Sequence, residues 1–249
     1  MRFLIFGRSH LMALKRAVRE SMKAVGETCQ HPLQHNYDFM MLEPGKNWPP
    51  LKKKKLIRPL VKLLEEELDK CDGILSCLGG HEYLAITLPR HARPFDFVLP
   101  SKPDLPRVRN CEIVPYRVVR DILQSRMVIN LELISDLSVR SSKPVYQLMP
   151  IPPIGDDNFV MQCSNKFAGK ILEQGLADKT FRLKMYLLYC DILSSHCRAL
   201  NIRLIALPGQ VFDDSGFLHP SGYAKDINHG NVWYGRQLMK HFEATIADL

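Results

Sequence analysis

The chain contains no uninterrupted apolar run of the roughly 18 to 20 residues needed to cross a bilayer, so no membrane-spanning segment is expected. It also lacks a Cys-x-x-Cys pair. Its seven cysteines, Cys29, Cys71, Cys77, Cys111, Cys163, Cys190 and Cys197, are odd in number and scattered, which argues for reduced thiols and a cytoplasmic protein rather than a disulfide framework. RNP-like aromatic motifs, zinc fingers and basic stripes interleaved with aromatics are missing as well. Nucleic acid is therefore not expected as a partner, despite a formal net charge of +8. Internal repeats and low-complexity tracts are absent. The apolar N-terminal residues have no signal-peptide cleavage pattern and read as a first strand.

What is present suits one α/β domain over residues 1–249, since 46% of the 249 residues are hydrophobic and 24% charged. Short apolar runs at Phe3–Phe6, Asp38–Leu42, Gly73–Leu78, Val145–Met149 and Arg203–Leu207 read as buried strands, each closed by Gly, Pro or a polar turn. Helical patterns lie between them, over Leu11–Ala24, Leu51–Lys70, Tyr116–Val139, Ser164–Leu200 with breaks, and Asn231–Ile246. The run Lys52–Lys55 reads as the solvated start of the second of these helices. Strand and helix in alternation imply βαβ units and a parallel sheet covered on both faces, with ligands at the carboxyl ends of the strands. The proline-rich stretch Pro89–Pro115 reads as a long ordered excursion of the functional kind.

Three polar clusters fall where such a sheet would present them. Ser9 follows the first strand on a turn that Gly7 allows to be tight, so its hydroxyl either faces the cleft or caps the helix beginning near Leu11. Asp226 and His229 stand just before the last helix, a spacing that lets a short loop hold a carboxylate against its own imidazole. The alternative is a surface cap and a turn histidine. Gly79-Gly80-His81-Glu82 closes the third strand, either as a ligand-facing backbone turn or as a plain strand-to-helix connection. A metal site built from His10, His81, Glu82, Asp226 and His229 is conceivable, but no compact set has zinc-like spacing, and neither metal nor cofactor is expected.

Taken in order, these clusters resemble the blocks of the SGNH hydrolases, the GDSL-type esterases and lipases. Gly7-Arg8-Ser9-His10 is similar to the first block, usually Gly-Asp-Ser followed by an apolar residue or His. Gly79-Gly80-His81-Glu82 stands where Gly-x-Asn-Asp is expected, Asp226-Ile227-Asn228-His229 matches Asp-x-x-His, and "VYQLMPIPP" resembles the family's fourth strand and its proline-rich loop. The resemblance implies a three-layer α/β/α sandwich with a flavodoxin-like parallel sheet of about five strands. It also implies Ser9 as nucleophile, His229 as general base and Asp226 as its orienting carboxylate. The implied oxyanion hole comprises the Ser9 N–H, a second-block glycine for which Gly45 is the candidate, Gly80, and His81 in place of the usual Asn. His81 must then present an N–H, which an imidazole does only in the right tautomer or when protonated. Arg8 in place of Asp changes the local charge but touches no essential chemical role on this reading. The implied activity is hydrolysis of a small O-acyl ester, with a small-molecule or acetylated-glycan substrate. Acyl transfer to a glycan hydroxyl and a non-catalytic binding module on the same fold are the alternatives.

Overall fold

The computed structural model describes residues 1–23, 33–43, 51–52, 55–56, 58–163 and 167–247. Five parallel strands form its centre: β1 (Arg2–Gly7), β2 (Asn36–Met41), β3 (Gly73–Cys77), β4 (Val145–Leu148) and β5 (Arg203–Ile205). They lie in the order β2-β1-β3-β4-β5, at the five runs expected from apolar patterning. None of Phe3, Leu4, Ile5 and Phe6 is more than 2% exposed, so β1 is covered on both faces, which is why it reads as a continuous apolar run without alternation.

The covering helices are α1 (Leu11–Lys23), α2 (Arg58–Leu68), α3 (Leu84–Thr87), α4 (Tyr116–Arg140), α5 (Asp157–Gln162), α6 (Ala168–Gln174), α7 (Lys179–Ala199) and α8 (Val232–Ala247). Helix α1 packs on α8, and α4 packs on α7, which completes the α/β/α sandwich.

Two expectations are corrected. The second helix starts at Arg58 rather than Leu51: Leu51–Lys52 and Lys55–Leu56 pair as a short antiparallel ladder, and Lys53 and Lys54 lie outside the described residues. Pro59 explains the boundary, because proline suits the first turn of a helix and disfavours helical backbone before it. The long stretch before β5 divides between α6 and α7 at Gly175, whose φ of 82° ends α6. The Asp178 carboxylate then starts α7 by accepting from the Thr180 N–H at 2.7 Å.

The excursion over 89–115 is ordered by a buried ion pair. Asp96 and Lys184 of α7 are both buried and meet at 2.7 Å, and the Val108 N–H donates to the same carboxylate at 2.9 Å. A two-residue parallel ladder, Phe95–Asp96 with Glu112–Ile113, closes the excursion on itself.

The topology places the site. β1 lies between β2 and β3, so the chain leaves β1 in one direction and later crosses back to β3 on the other side. That reversal opens a crevice at the carboxyl ends of β1 and β3. Ser9 follows the first of these strands and His81 the second.

Helices α1 and α8 approach closely at Gly235 of α8, where a Cβ would stand 2.2 Å from the Ala13 carbonyl oxygen of α1. In an exposed helix interior, Gly to Ala is worth about 1 kcal/mol of added stability. Here the obstacle is backbone that cannot rotate away, so the sign reverses. Gly235→Ala is expected to cost about 1–3 kcal/mol, a fall of roughly 2–10 °C in Tm, measured by denaturant and thermal unfolding.

Candidate active site

The turn after β1 is set by backbone bonds, with the Leu11 N–H donating to Arg8 O at 3.1 Å and the Met12 N–H to Ser9 O at 3.0 Å. These bonds leave the exposed Ser9 side chain at the head of α1. Its Oγ lies 2.8 Å from His229 Nε2, across 220 positions of sequence.

Immediately before α8, Asp226 folds back on its own loop. Its Oδ1 accepts from the N–H groups of Asn228 at 2.8 Å and His229 at 3.0 Å, while Oδ2 stands 2.9 Å from His229 Nδ1. Buried Ile227 anchors the loop to the core, and Asn231 closes it by donating from Nδ2 to Ser221 O at 2.7 Å and Tyr223 O at 3.0 Å. Burial raises the Asp226 carboxyl, but the His229 ring and the two N–H donors outweigh it and hold the group below its ordinary value. An ionised Asp226 must receive the Nδ1 proton, which leaves Nε2 as the acceptor for the Ser9 hydroxyl.

The turn after β3 is built around Glu82. Its Oε2 accepts from the N–H groups of Gly80 at 3.0 Å and His81 at 3.2 Å, and its Oε1 accepts from Asn130 Nδ2 of α4. The Gly80 N–H also donates to the Tyr189 hydroxyl of α7 at 2.9 Å. Gly79 and Gly80 have φ of 85° and 112°, and a Cβ on Gly79 would fall 2.1 Å from the Tyr189 oxygen, so both positions need glycine. The Gly80 N–H, an expected oxyanion donor, points onto Glu82 and Tyr189. Gly45 lies outside the described residues.

His81 reaches the same rim as Ser9. Its Nε2 lies 3.3 Å from Arg8 Nη1 and its Nδ1 lies 3.4 Å from His10 Nε2, while Glu82 Oε1 stands 3.9 Å from that Nδ1. The His10 ring in turn lies 5.1 Å, centroid to centroid, from that of His229. Burial lowers Arg8 from its ordinary value and Glu82 opposes the shift; a guanidinium stays charged regardless. Asn130 and Tyr189 carry no sequence signal for the turn that they hold, and neither does the contact between Arg8 and His81. Asn130 and Tyr189 lie within long helices whose pattern signals only core, and nothing in a linear reading pairs Arg8 with a residue 73 positions away. Among the described residues, no three His, Cys, Asp or Glu side chains form a group able to hold a metal ion. No helix among them is long and apolar enough to cross a membrane.

No protein-family profile matches the chain, and no curated protein sequence matches it either. Solved structures similar in fold include a GDSL-like lipase from Bacteroides thetaiotaomicron, at 9% identity and a TM-score of 0.47, covering 99% of this chain and 86% of that one. Another is a catalytic mutant of an acetylxylan esterase from Geobacillus stearothermophilus, at 12% identity and a TM-score of 0.46, covering 98% of this chain and 93% of that one.

The half-buried His10 gives the site a pH signature. Burial, with the His229, His81 and Arg8 charges added and Asp226 opposing, pushes its imidazole down to about 3. The unfolded chain therefore binds the His10 proton more readily than the folded protein does. The stability this confers is complete above pH 6.5 and is lost progressively as pH falls from there toward 3. Between pH 7 and 5 the wild type is expected to lose up to about 2 kcal/mol more than His10→Gln, compared by urea unfolding at the two pH values.

Proposed function

We propose that the chain is a serine esterase of the SGNH type, one domain over residues 1–249, that removes a small acyl group from an O-acyl ester. Acetylated carbohydrate is its substrate class. The observation that carries this reading is the continuous relay from Ser9 Oγ through His229 to Asp226, with bonds of 2.8 and 2.9 Å, at the switch point of a parallel sheet.

In the proposed reaction Ser9 Oγ bonds to the ester carbonyl carbon, its proton passes to His229 Nε2, and the carbonyl electron pair moves onto oxygen. As the carbonyl re-forms, the bond to the alcohol oxygen breaks and His229 returns the proton to the leaving alcohol. Water then adds to the acyl-enzyme by the same route, releasing the acid and restoring Ser9. Ser9 is exposed, and the side chains of His229 and Asp226 are 30% and 38% exposed. Water thus has access to an acyl group on Ser9, which supports hydrolysis over transfer. An intact relay favours an enzyme over a non-catalytic module. Cys71, Cys77, Cys111, Cys190 and Cys197 form no disulfide, which supports a reducing, cytoplasmic setting.

The test is hydrolysis of p-nitrophenyl acetate and palmitate, with fluorophosphonate labelling as the readout for Ser9. The wild type is expected to prefer acetate. Ser9→Ala and His229→Ala should each lower turnover on the order of ten-thousand-fold, with little further loss when combined, because the residues act as a unit. Wild-type turnover in Ser9→Ala would refute the nucleophile, and a marked preference for palmitate would refute the small-acyl assignment.

A further inference from the structure

On the reading of Ser9 as nucleophile, a negative charge develops on the substrate's carbonyl oxygen and needs donors already in place. Two groups that the family resemblance offers for this are engaged elsewhere. The Gly80 N–H is shared by Glu82 and Tyr189. The state of His81 follows from its neighbours. Arg8 can only donate, so His81 Nε2, 3.3 Å from Arg8 Nη1, must accept and carries no proton. The remaining ring proton of neutral His81 is then on Nδ1, which donates to His10 Nε2 at 3.4 Å. His10 can accept there because it is neutral, its imidazole being pushed down to about 3. The chain of donors therefore runs Arg8 to His81 to His10, and His81 is left with no N–H to turn toward the substrate.

We propose that Arg8, the residue immediately before the nucleophile, is the catalytic group that stabilises the oxyanion, and that His81 and His10 are positioning residues that hold its guanidinium at the rim. The bond to His81 uses one of five guanidinium N–H groups in a fixed planar fork, so it fixes the plane in which the others lie. Arg8 is partly buried, and a positive charge there acts through less water than a surface one. When Ser9 Oγ bonds to the carbonyl carbon and the π pair moves onto oxygen, that oxygen accepts from the guanidinium. The Ser9 proton goes to His229, so Arg8 gains and loses nothing. A guanidinium keeps its charge at any pH the folded protein meets, so the donor needs no proton from solution.

The experiment compares Arg8→Gln, Arg8→Lys, His81→Gln, His81→Leu and the Arg8→Gln/His81→Leu double variant, each checked for folding by its Tm. It measures kcat and KM on p-nitrophenyl acetate and the affinity for a trifluoromethyl ketone, whose adduct with Ser9 carries the oxyanion. Arg8→Gln is expected to lose about 100- to 1,000-fold in kcat with KM nearly unchanged, and to bind the ketone more weakly in proportion. Arg8→Lys, which keeps the charge without the fork, should retain more activity. His81→Gln, which still offers Arg8 an acceptor, should exceed His81→Leu, and the double variant should be no worse than Arg8→Gln alone. Wild-type kcat in a folded Arg8→Gln, a loss confined to KM, or undiminished ketone binding would overturn the assignment while leaving Ser9 chemistry intact. A wild type that neither hydrolyses acetyl esters nor labels with fluorophosphonate would refute the esterase reading itself, and this inference with it.

Discussion

The geometry of the site rests on the contact between the first and last helices. Ser9 immediately precedes α1 and His229 stands just ahead of α8, so the distance between them is set by how closely those two helices lie. Gly235 permits that closeness by letting the Ala13 carbonyl fill the place of a side chain. Two residues 220 positions apart, on the turns that lead into these helices, are thereby held at 2.8 Å. The rest of the fold serves the same end. β1 delivers the Ser9 turn to the sheet's switch point, and the aromatic rings of Phe3 and Tyr146 pack edge-on against Phe242 of α8, fixing that helix to the sheet as well as to α1.

The second organising element is Glu82. A carboxylate this enclosed is stable only when its lone pairs are met, and here they are met by two backbone N–H groups of its own turn and by Asn130, with the Tyr189 hydroxyl beside it. The same bonds fix the left-handed conformations of Gly79 and Gly80 and so decide which way His81 leaves the turn. Helices α4 and α7, which otherwise serve the core, thus reach the site through one polar side chain each. The cost is that the Gly80 N–H is consumed in holding the turn.

How much of this can be read in one dimension depends on how local each signal is. The five strands are legible because parallel strands buried on both faces appear as unbroken apolar runs, and Phe3–Phe6 is the clearest. Asp226 and His229 are legible because a carboxylate and an imidazole three residues apart can meet within one loop. The start of α2 is misjudged because the apolar spacing after Leu51 continues a helical pattern across Pro59, and backbone restriction prevails over pattern there. Asn130 and Tyr189 are invisible because one polar residue in a 25- or 21-residue helix looks like ordinary variation until the fold supplies a buried carboxylate opposite. The contact of Arg8 with His81 is hidden for a related reason. A substitution judged against the block it sits in is a change of local charge, whereas its partner lies on another strand's turn and becomes visible only when β1 and β3 are placed side by side.

That pairing also bears on how one rim tolerates an arginine and three histidines. Were His10, His81 and His229 all protonated beside Arg8, four positive charges would crowd a partly dry crevice, and His229 could accept nothing from Ser9. The arrangement avoids this by direction of donation. Arg8 makes His81 an acceptor, His81 makes His10 an acceptor, and Asp226 takes the one proton that His229 keeps. That order of donation gives each imidazole one tautomer, with Glu82 close enough to act on the charge of Arg8. In the proposed reaction charge separates in only one place, with imidazolium forming against Asp226 and oxyanion against Arg8. The two ends of that separation each meet a fixed charge of opposite sign that needs no reorganisation. On that proposal the departure from the usual first-block Asp and the departure from the usual third-block Asn are a single change seen at two positions: a charged donor beside the proposed nucleophile, and an acceptor opposite to aim it.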